Sequence, residues 1–192
     1  WEINYNIRTS VILLYVVGCT KEVSVMSIQT CCFTGHRPRA FPWRYNEKDL
    51  RCMMLKFRLN REIIHAIKQD GVRHFLTGMA LGVDTWAAEI VLSLRKQFPV
   101  TLEAVLPCEG QDAKWPLESQ KRHQSIITQC DKITLLQTRY TPDCFDRRNR
   151  YMVDHSDLII AVWNGSPSGT GNTIAYARSM GKRICVIPAH TC

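Results

Sequence analysis

Four short stretches of the 192-residue chain carry residue types suited to binding an anion. The first is Thr34-Gly35-His36-Arg37-Pro38. Gly35 permits a tight turn and a close backbone approach to a ligand, and the Arg37 guanidinium can fork two hydrogen bonds onto a phosphate. Histidine exchanges protons near neutrality, but a single loop histidine more commonly makes a polar contact, and His36 is read that way. The second is Thr77-Gly78-Met79-Ala80-Leu81-Gly82-Val83-Asp84. Gly78 and Gly82 would let backbone N–H groups surround an anion at a helix amino end, where the macrodipole favours negative charge. Asp84 suits either the first turn of that helix or an acceptor role toward ribose or amine groups.

The third stretch, Gly165-Ser166-Pro167-Ser168-Gly169-Thr170-Gly171-Asn172-Thr173, places glycines and hydroxyls in a row ahead of a helix, as a phosphate cradle requires. The fourth, Arg147-Arg148-Asn149-Arg150, either supplies cations to the same place or forms a solvated helix face. Neither the dinucleotide fingerprint G-x-G-x-x-G nor a Walker loop is present. Trp115 and Trp163 are the rings considered for stacking on a base.

The elements that must position these stretches follow from apolar patterning. Runs at 28–34, 72–76, 100–106, 132–136, 157–163 and 183–187 read as strands. Between them lie helical segments. One is capped by Asp49, carries Leu50, Met53, Phe57, Ile64 and Ile67 on one stripe and closes at Gly71. A second carries Val83, Ala87, Ile90, Val91 and Leu94; others span 117–127, 143–155 and about 173–180. Continuous apolar strands alternating with helices predict a Rossmann-like, doubly wound, mainly parallel α/β sheet with helices on both faces. Ligands of such sheets bind beyond the carboxyl ends of the strands, where these stretches fall.

Composition narrows the classes. With 45% hydrophobic and 22% charged residues the chain reads as an ordinary globule, and its net charge of +8 favours a polyanionic partner. Nine cysteines without C-x-x-C spacing predict free thiols and no metal site, hence a reducing, cytoplasmic setting. The apolar stretch 11–17 is too short to span a bilayer, and no membrane association is expected. Val16-Val17-Gly18-Cys19 matches a lipoprotein cleavage box, but the favoured reading is that Met26 starts the natural chain. Residues 1–25 are then a tail and 26–192 a single nucleotide-binding domain; a homo-oligomer is compatible with this.

In their order along the chain, Gly35, Gly78 to Asp84, Arg148-Asn149-Arg150 and Gly165 to Thr173 resemble the SLOG superfamily, which unites DNA-processing Smf/DprA proteins with LOG nucleotide enzymes. Thr34 to Pro38 together with Pro107, Glu109, Gln111 and Trp115 is most similar to the YpsA-like branch. The resemblance implies a Rossmann-like domain that binds a nucleotide or an ADP-ribose-like compound, without metal, through Gly35, His36, Arg37, Gly78, Gly82, Asp84, Arg148, Asn149, Gly165, Ser166, Ser168, Gly169 and Thr170. Two other functions are compatible with it: weak single-stranded DNA binding of the DNA-processing kind, and LOG-like hydrolysis of nucleoside monophosphates. Against hydrolysis, LOG enzymes carry P-G-G-x-G-T-x-x-E before the last helix, and their glutamate position falls on Thr173 here. Asp84 and Glu109 are the carboxylates left as catalytic candidates.

Overall fold

The computed structural model describes residues 29–189. Six strands run in the order β1 (Thr30–Gly35), β2 (His74–Thr77), β3 (Thr101–Leu106), β4 (Lys132–Leu135), β5 (Leu158–Trp163) and β6 (Arg183–Pro188). They form one sheet in spatial order β4-β3-β2-β1-β5-β6, and every pairing is parallel. The crossovers carry α1 (Leu50–Lys68), α2 (Val83–Leu94), α3 (Leu117–Ile127), α4 (Cys144–Asp154) and α5 (Gly169–Ser179). The fold is therefore the Rossmann-like doubly wound sheet that the patterning predicts.

Side-chain alternation divides the core in two. Cys31, Phe33, Phe75, Leu102 and Ile160 face α1, α2 and α3, whereas Cys32, Leu76, Val105, Ile159 and Ala161 face α4 and α5. The adjacent thiols of Cys31 and Cys32 thus lie on opposite faces of β1. Burial keeps both protonated, pushing Cys32 up to about 12. The seven cysteines of the described residues are free; Cys19, like the cleavage-box reading and Met26, lies outside them. Among the described residues no helix is long and apolar enough to cross a membrane.

Two element assignments change. Asp49 does cap α1, accepting from Arg51 N at 2.9 Å, but the helix turns its other stripe inward. Cys52, Leu55, Leu59, Ile63 and Ala66 are buried, while of the expected stripe Leu50, Met53 and Phe57 are exposed, Ile64 is partly buried against the core and Ile67 is buried. The helix has two apolar stripes, and the one with a continuous Leu55, Leu59, Ile63 row packs on the sheet. The last helix begins at Gly169, four residues before the expected start, because the Ser168 hydroxyl accepts from Gly171 N at 3.2 Å and caps it there. Part of the glycine-rich stretch is therefore the first turn of α5.

Candidate functional site

The chain leaves β1 toward β2 on one side of the sheet and leaves β5 toward β6 on the other, so the carboxyl ends of these neighbouring strands diverge. The crevice they open is a chamber of about 240 Å³, walled by Gly35, His36 and Arg37 after β1, Ala80 and Asp84 at the start of α2, Phe145, Arg148 and Asn149 on α4, and Ser168, Gly169 and Thr170 at the start of α5. Three of the four stretches singled out in the sequence wall this chamber through several residues each, and the stretch after β2 does so through Ala80 and Asp84.

Beneath it lies a buried ion pair. The Arg148 guanidinium sits 3.6 Å from Asp84 Oδ2 and donates from Nη1 to the carbonyl of Gly78, and its Nε donates to Asn149 Oδ1 at 2.9 Å. Both side chains are almost wholly buried. Burial pushes the Asp84 carboxyl up, opposed by Arg148 and by the Ala80 N–H, which donates to Asp84 Oδ2 at 3.4 Å. Burial likewise pushes Arg148 down, opposed by Asp84. An ion pair at this depth with space beside it can hold an anion, because Arg148 has only one carboxylate partner and that partner is strained by desolvation.

The glycines of the second stretch work through packing. A side chain at Gly78 would overlap the Arg148 guanidinium, so the missing Cβ makes the room in which Arg148 lies. Gly82, at φ +94°, presses against the turn after β1, where a Cβ would fall 2.8 Å from the His36 carbonyl oxygen. Gly35 fits against Val83 with equal closeness, its Cβ position 2.5 Å from Val83 Cβ. These two contacts lock the loop after β1 onto the start of α2, and Gly35 also walls the small chamber.

His36 is buried and joined to a residue the sequence reading passed over. Its Nε2 lies 2.8 Å from Asn164 Oδ1, which also accepts from Ser166 N at 3.0 Å and Ser166 Oγ at 2.6 Å. The backbone N–H of Asn164 lies 3.3 Å from the same ring nitrogen, so His36 meets Asn164 through both its side chain and its main chain. The His36–Asn164 pair therefore ties the loop after β1 to the loop after β5 across the crevice. Asn164 was legible only as the polar residue directly after the strongest strand.

Of the arginine-rich stretch, Arg148 and Asn149 reach the chamber. Arg147 donates to Gln137 Oε1 at 2.8 Å, and Arg150 pairs with Asp146 at 2.8 Å and lies over the Tyr176 ring. A helix can turn only one side of four consecutive residues inward. Gly165 has open space around it, and Ser166 serves Asn164 and the Trp163 indole, whose N–H donates to the Ser166 carbonyl at 2.8 Å. Trp163 is thereby engaged within its own loop.

A second, larger chamber of about 1030 Å³ adjoins the first, with Arg37 and Phe145 in both walls. Glu109, Gln111 and Trp115 line it, so the stretch after β3 faces this space, as do Tyr45 and Tyr140, which the sequence reading passed over. The two catalytic candidates are therefore apart: Asp84 lines the small chamber and Glu109 the large one. Thr173, at the place of the LOG glutamate, is buried and donates its hydroxyl proton to the Gly169 carbonyl at 2.9 Å inside α5. No group of three or more histidine, cysteine or carboxylate residues suited to a metal occurs among the described residues.

Comparison with known proteins agrees with this architecture. Residues 31–183 match the model of the YspA SLOG family. The uncharacterised SPbeta prophage-derived protein YoqJ of Bacillus subtilis is 30% identical over 144 residues, covering 68% of this chain and 84% of that protein. A UPF0398 protein of Brevibacillus brevis is 31% identical over 129 residues, covering 66% and 68%. Among solved structures, DNA processing protein A of Streptococcus pneumoniae superposes with a TM-score of 0.57 at 17% identity, over 84% of this chain and 50% of that one. Its Helicobacter pylori counterpart, described for its mode of binding single-stranded DNA, superposes with a TM-score of 0.57 at 21% identity, over 84% and 66%. At these identities the likeness is one of fold, and this chain spans half to two thirds of those proteins. By its match over residues 31–183, the chain belongs to the YspA SLOG family.

Proposed function

We propose that this protein binds a nucleotide-derived ligand, with a phosphate of that ligand in the small chamber. The observation that carries the reading is convergence at the switch point: Arg148 beneath, Arg37 at the mouth and the amino end of α5 at Gly169 and Thr170 all wall one small polar space. A helix amino end and a guanidinium each favour an anion, and a phosphate offers enough acceptors for both. Gly35, His36, Asp84, Asn149 and Ser168 complete the binding set, while Gly78, Gly82, Gly165 and Ser166 shape the loops that hold it. The free thiols suit a reducing compartment.

Thermal unfolding with a panel of adenine nucleotides and ADP-ribose tests this. A ligand at a hundred times its Kd adds about 2.7 kcal/mol to stability. A midpoint unmoved by the whole panel, in protein shown by mass spectrometry to carry no prebound ligand, overturns the reading. Catalysis of the LOG kind is not expected: Thr173 carries no carboxylate, and Asp84 is engaged by Arg148. Chromatography of AMP for free base decides that point, and turnover lost on replacing Asp84 or Glu109 would establish a hydrolase.

A second reading, single-stranded DNA binding, is favoured by the charge of +8 and by the fold shared with the DNA processing proteins. The outward-facing arginines supply counterion release, so binding of this kind falls steeply with salt. Titration of single-stranded DNA at two salt concentrations separates that behaviour from tight binding that depends on Arg148.

A further inference from the structure

The small chamber, at about 240 Å³, falls below the roughly 300–1,000 Å³ of a site that holds a whole small molecule. It has room for a phosphate with part of its sugar. The chamber beside it, at about 1030 Å³, stands at the top of that range, more than a single base would fill. Its wall chemistry differs too. Tyr45, Trp115, Tyr140 and Phe145 supply four aromatic rings, with Arg37 and Lys114 among them.

These rings are arranged as surfaces. Two guanidinium groups lie over the Phe145 ring, Arg37 at 5.3 Å and Arg148 at 6.0 Å from its centroid, and Tyr140 meets it edge-on at 6.4 Å. Trp115 is held edge-on against His123 at 5.3 Å. Tyr140 and Phe145 thus come from the lead into α4 and its first turn, Trp115 from the segment before α3 and Tyr45 from the segment before α1. Arg37, which stands in the walls of both chambers, joins the polar space to the aromatic one. Rings and cations that line one chamber beside an anion site match a chain of bases and phosphates, since every base has a face to stack and every phosphate a charge to pair.

We infer that the ligand is a pair of nucleosides joined through phosphate, its terminal phosphate in the small chamber and its bases in the larger one among the Tyr45, Trp115, Tyr140 and Phe145 rings. This rests on the phosphate reading of the small chamber. The same unit occurs in a free dinucleotide and in single-stranded nucleic acid, and the experiment separates the two.

Calorimetric titration of the full chain with inorganic phosphate, AMP, the 5′-phosphorylated dinucleotide pApA and 5′-phosphorylated dT oligomers of two to twelve nucleotides is the test. The expected result is that pApA binds at least about tenfold more tightly than AMP, in keeping with the stacking of one further base. In the double variant Tyr45→Ala, Tyr140→Ala that ratio falls toward one. Both tyrosines are more than half exposed, so their removal leaves the fold intact. Affinity that levels off at two nucleotides supports a free dinucleotide as the source, and affinity that keeps rising toward twelve supports the inference with single strand as the source. Equal affinity for AMP and pApA, or a pApA advantage that survives loss of both tyrosines, overturns it. If phosphate, AMP and pApA all fail to bind, the phosphate reading itself falls and this inference with it.

Discussion

Two clusters of charge meet α2, one half-buried and one buried, and they are built on opposite principles. In the first, Glu47 accepts from Arg122 through both oxygens, at 2.6 and 3.1 Å, from the Trp86 indole at 2.9 Å and from Lys56, while Arg122 also grips Glu89 at 2.6 Å twice. Every carboxylate oxygen has a donor, and the cluster staples the loop before α1 to α2 and α3. Burial raises the Glu47 carboxyl, but the hydrogen bonds from Arg122, Lys56 and Trp86 prevail and hold it at about 2. In the second, Asp84 and Arg148 face each other at 3.6 Å with a chamber beside them, and burial prevails over pairing so that Asp84 is raised. A closed charge cluster holds structure together; a charge pair left short of partners next to open space is where a ligand can complete the set.

The largest expected effect is at the floor of the open pair. Gly78→Ala places a methyl where Arg148 lies, and either the arginine is expelled or the strand end shifts. A loss of about 3–5 kcal/mol is expected, the size seen when a buried pair is broken. Gly165→Ala, where a Cβ meets nothing, should cost only about 1 kcal/mol, from its positive φ. Urea unfolding of the two variants measures the difference, and equal losses would show that Gly78 is not shaped around Arg148.

Asp84→Asn sharpens the contrast between open and closed pairs. It leaves Arg148 buried without its counter-charge, but because burial disfavours the Asp84 carboxylate the loss in anion-free buffer falls short of the ~3–5 kcal/mol of a fully favourable buried pair. An anion in the chamber then takes the place of the carboxylate, so phosphate should stabilise this variant more than the parent protein. Glu89→Gln, in the closed cluster, should show no such anion dependence. Thermal midpoints across a phosphate series distinguish the two.

Acid reads the two clusters with opposite signs. Glu47 is lowered in the fold, so its stabilisation is complete above its ordinary value of 4.5 and is lost as pH falls from there through about 2. Asp84 is raised, so its contribution is most favourable below its ordinary value of 3.8 and is lost as pH rises through its folded value. Glu47→Gln should therefore flatten the fall in stability between pH 4.5 and 2, and Asp84→Asn should not. Denaturation midpoints against pH in both variants check this. The smallest effect is at the rim: Ser168→Ala removes the cap on Gly171 N and should cost about 1 kcal/mol, with a matching loss of helicity at α5 by hydrogen exchange.

The order of strands and helices was legible because apolar runs and helical stripes are local patterns, and each glycine-rich stretch lies at a strand end. The sequence alone therefore determined the sheet, the strand ends at which the glycine-rich stretches fall and the placing of adjacent Cys31 and Cys32 on opposite faces of β1. It could not determine which of the two apolar stripes of α1 packs inward, because both have helical spacing and only the sheet beneath chooses between them. Nor could it separate Arg148 from Arg147 and Arg150, or show that Gly78 and Gly82 are there for close packing. The pairing of His36 with Asn164 spans 128 positions, and the larger chamber draws Tyr45, Trp115, and the neighbours Tyr140 and Phe145 from three separate segments. Such contacts exist only once parallel strands far apart in the chain lie side by side, and for that reason the tertiary structure decided them.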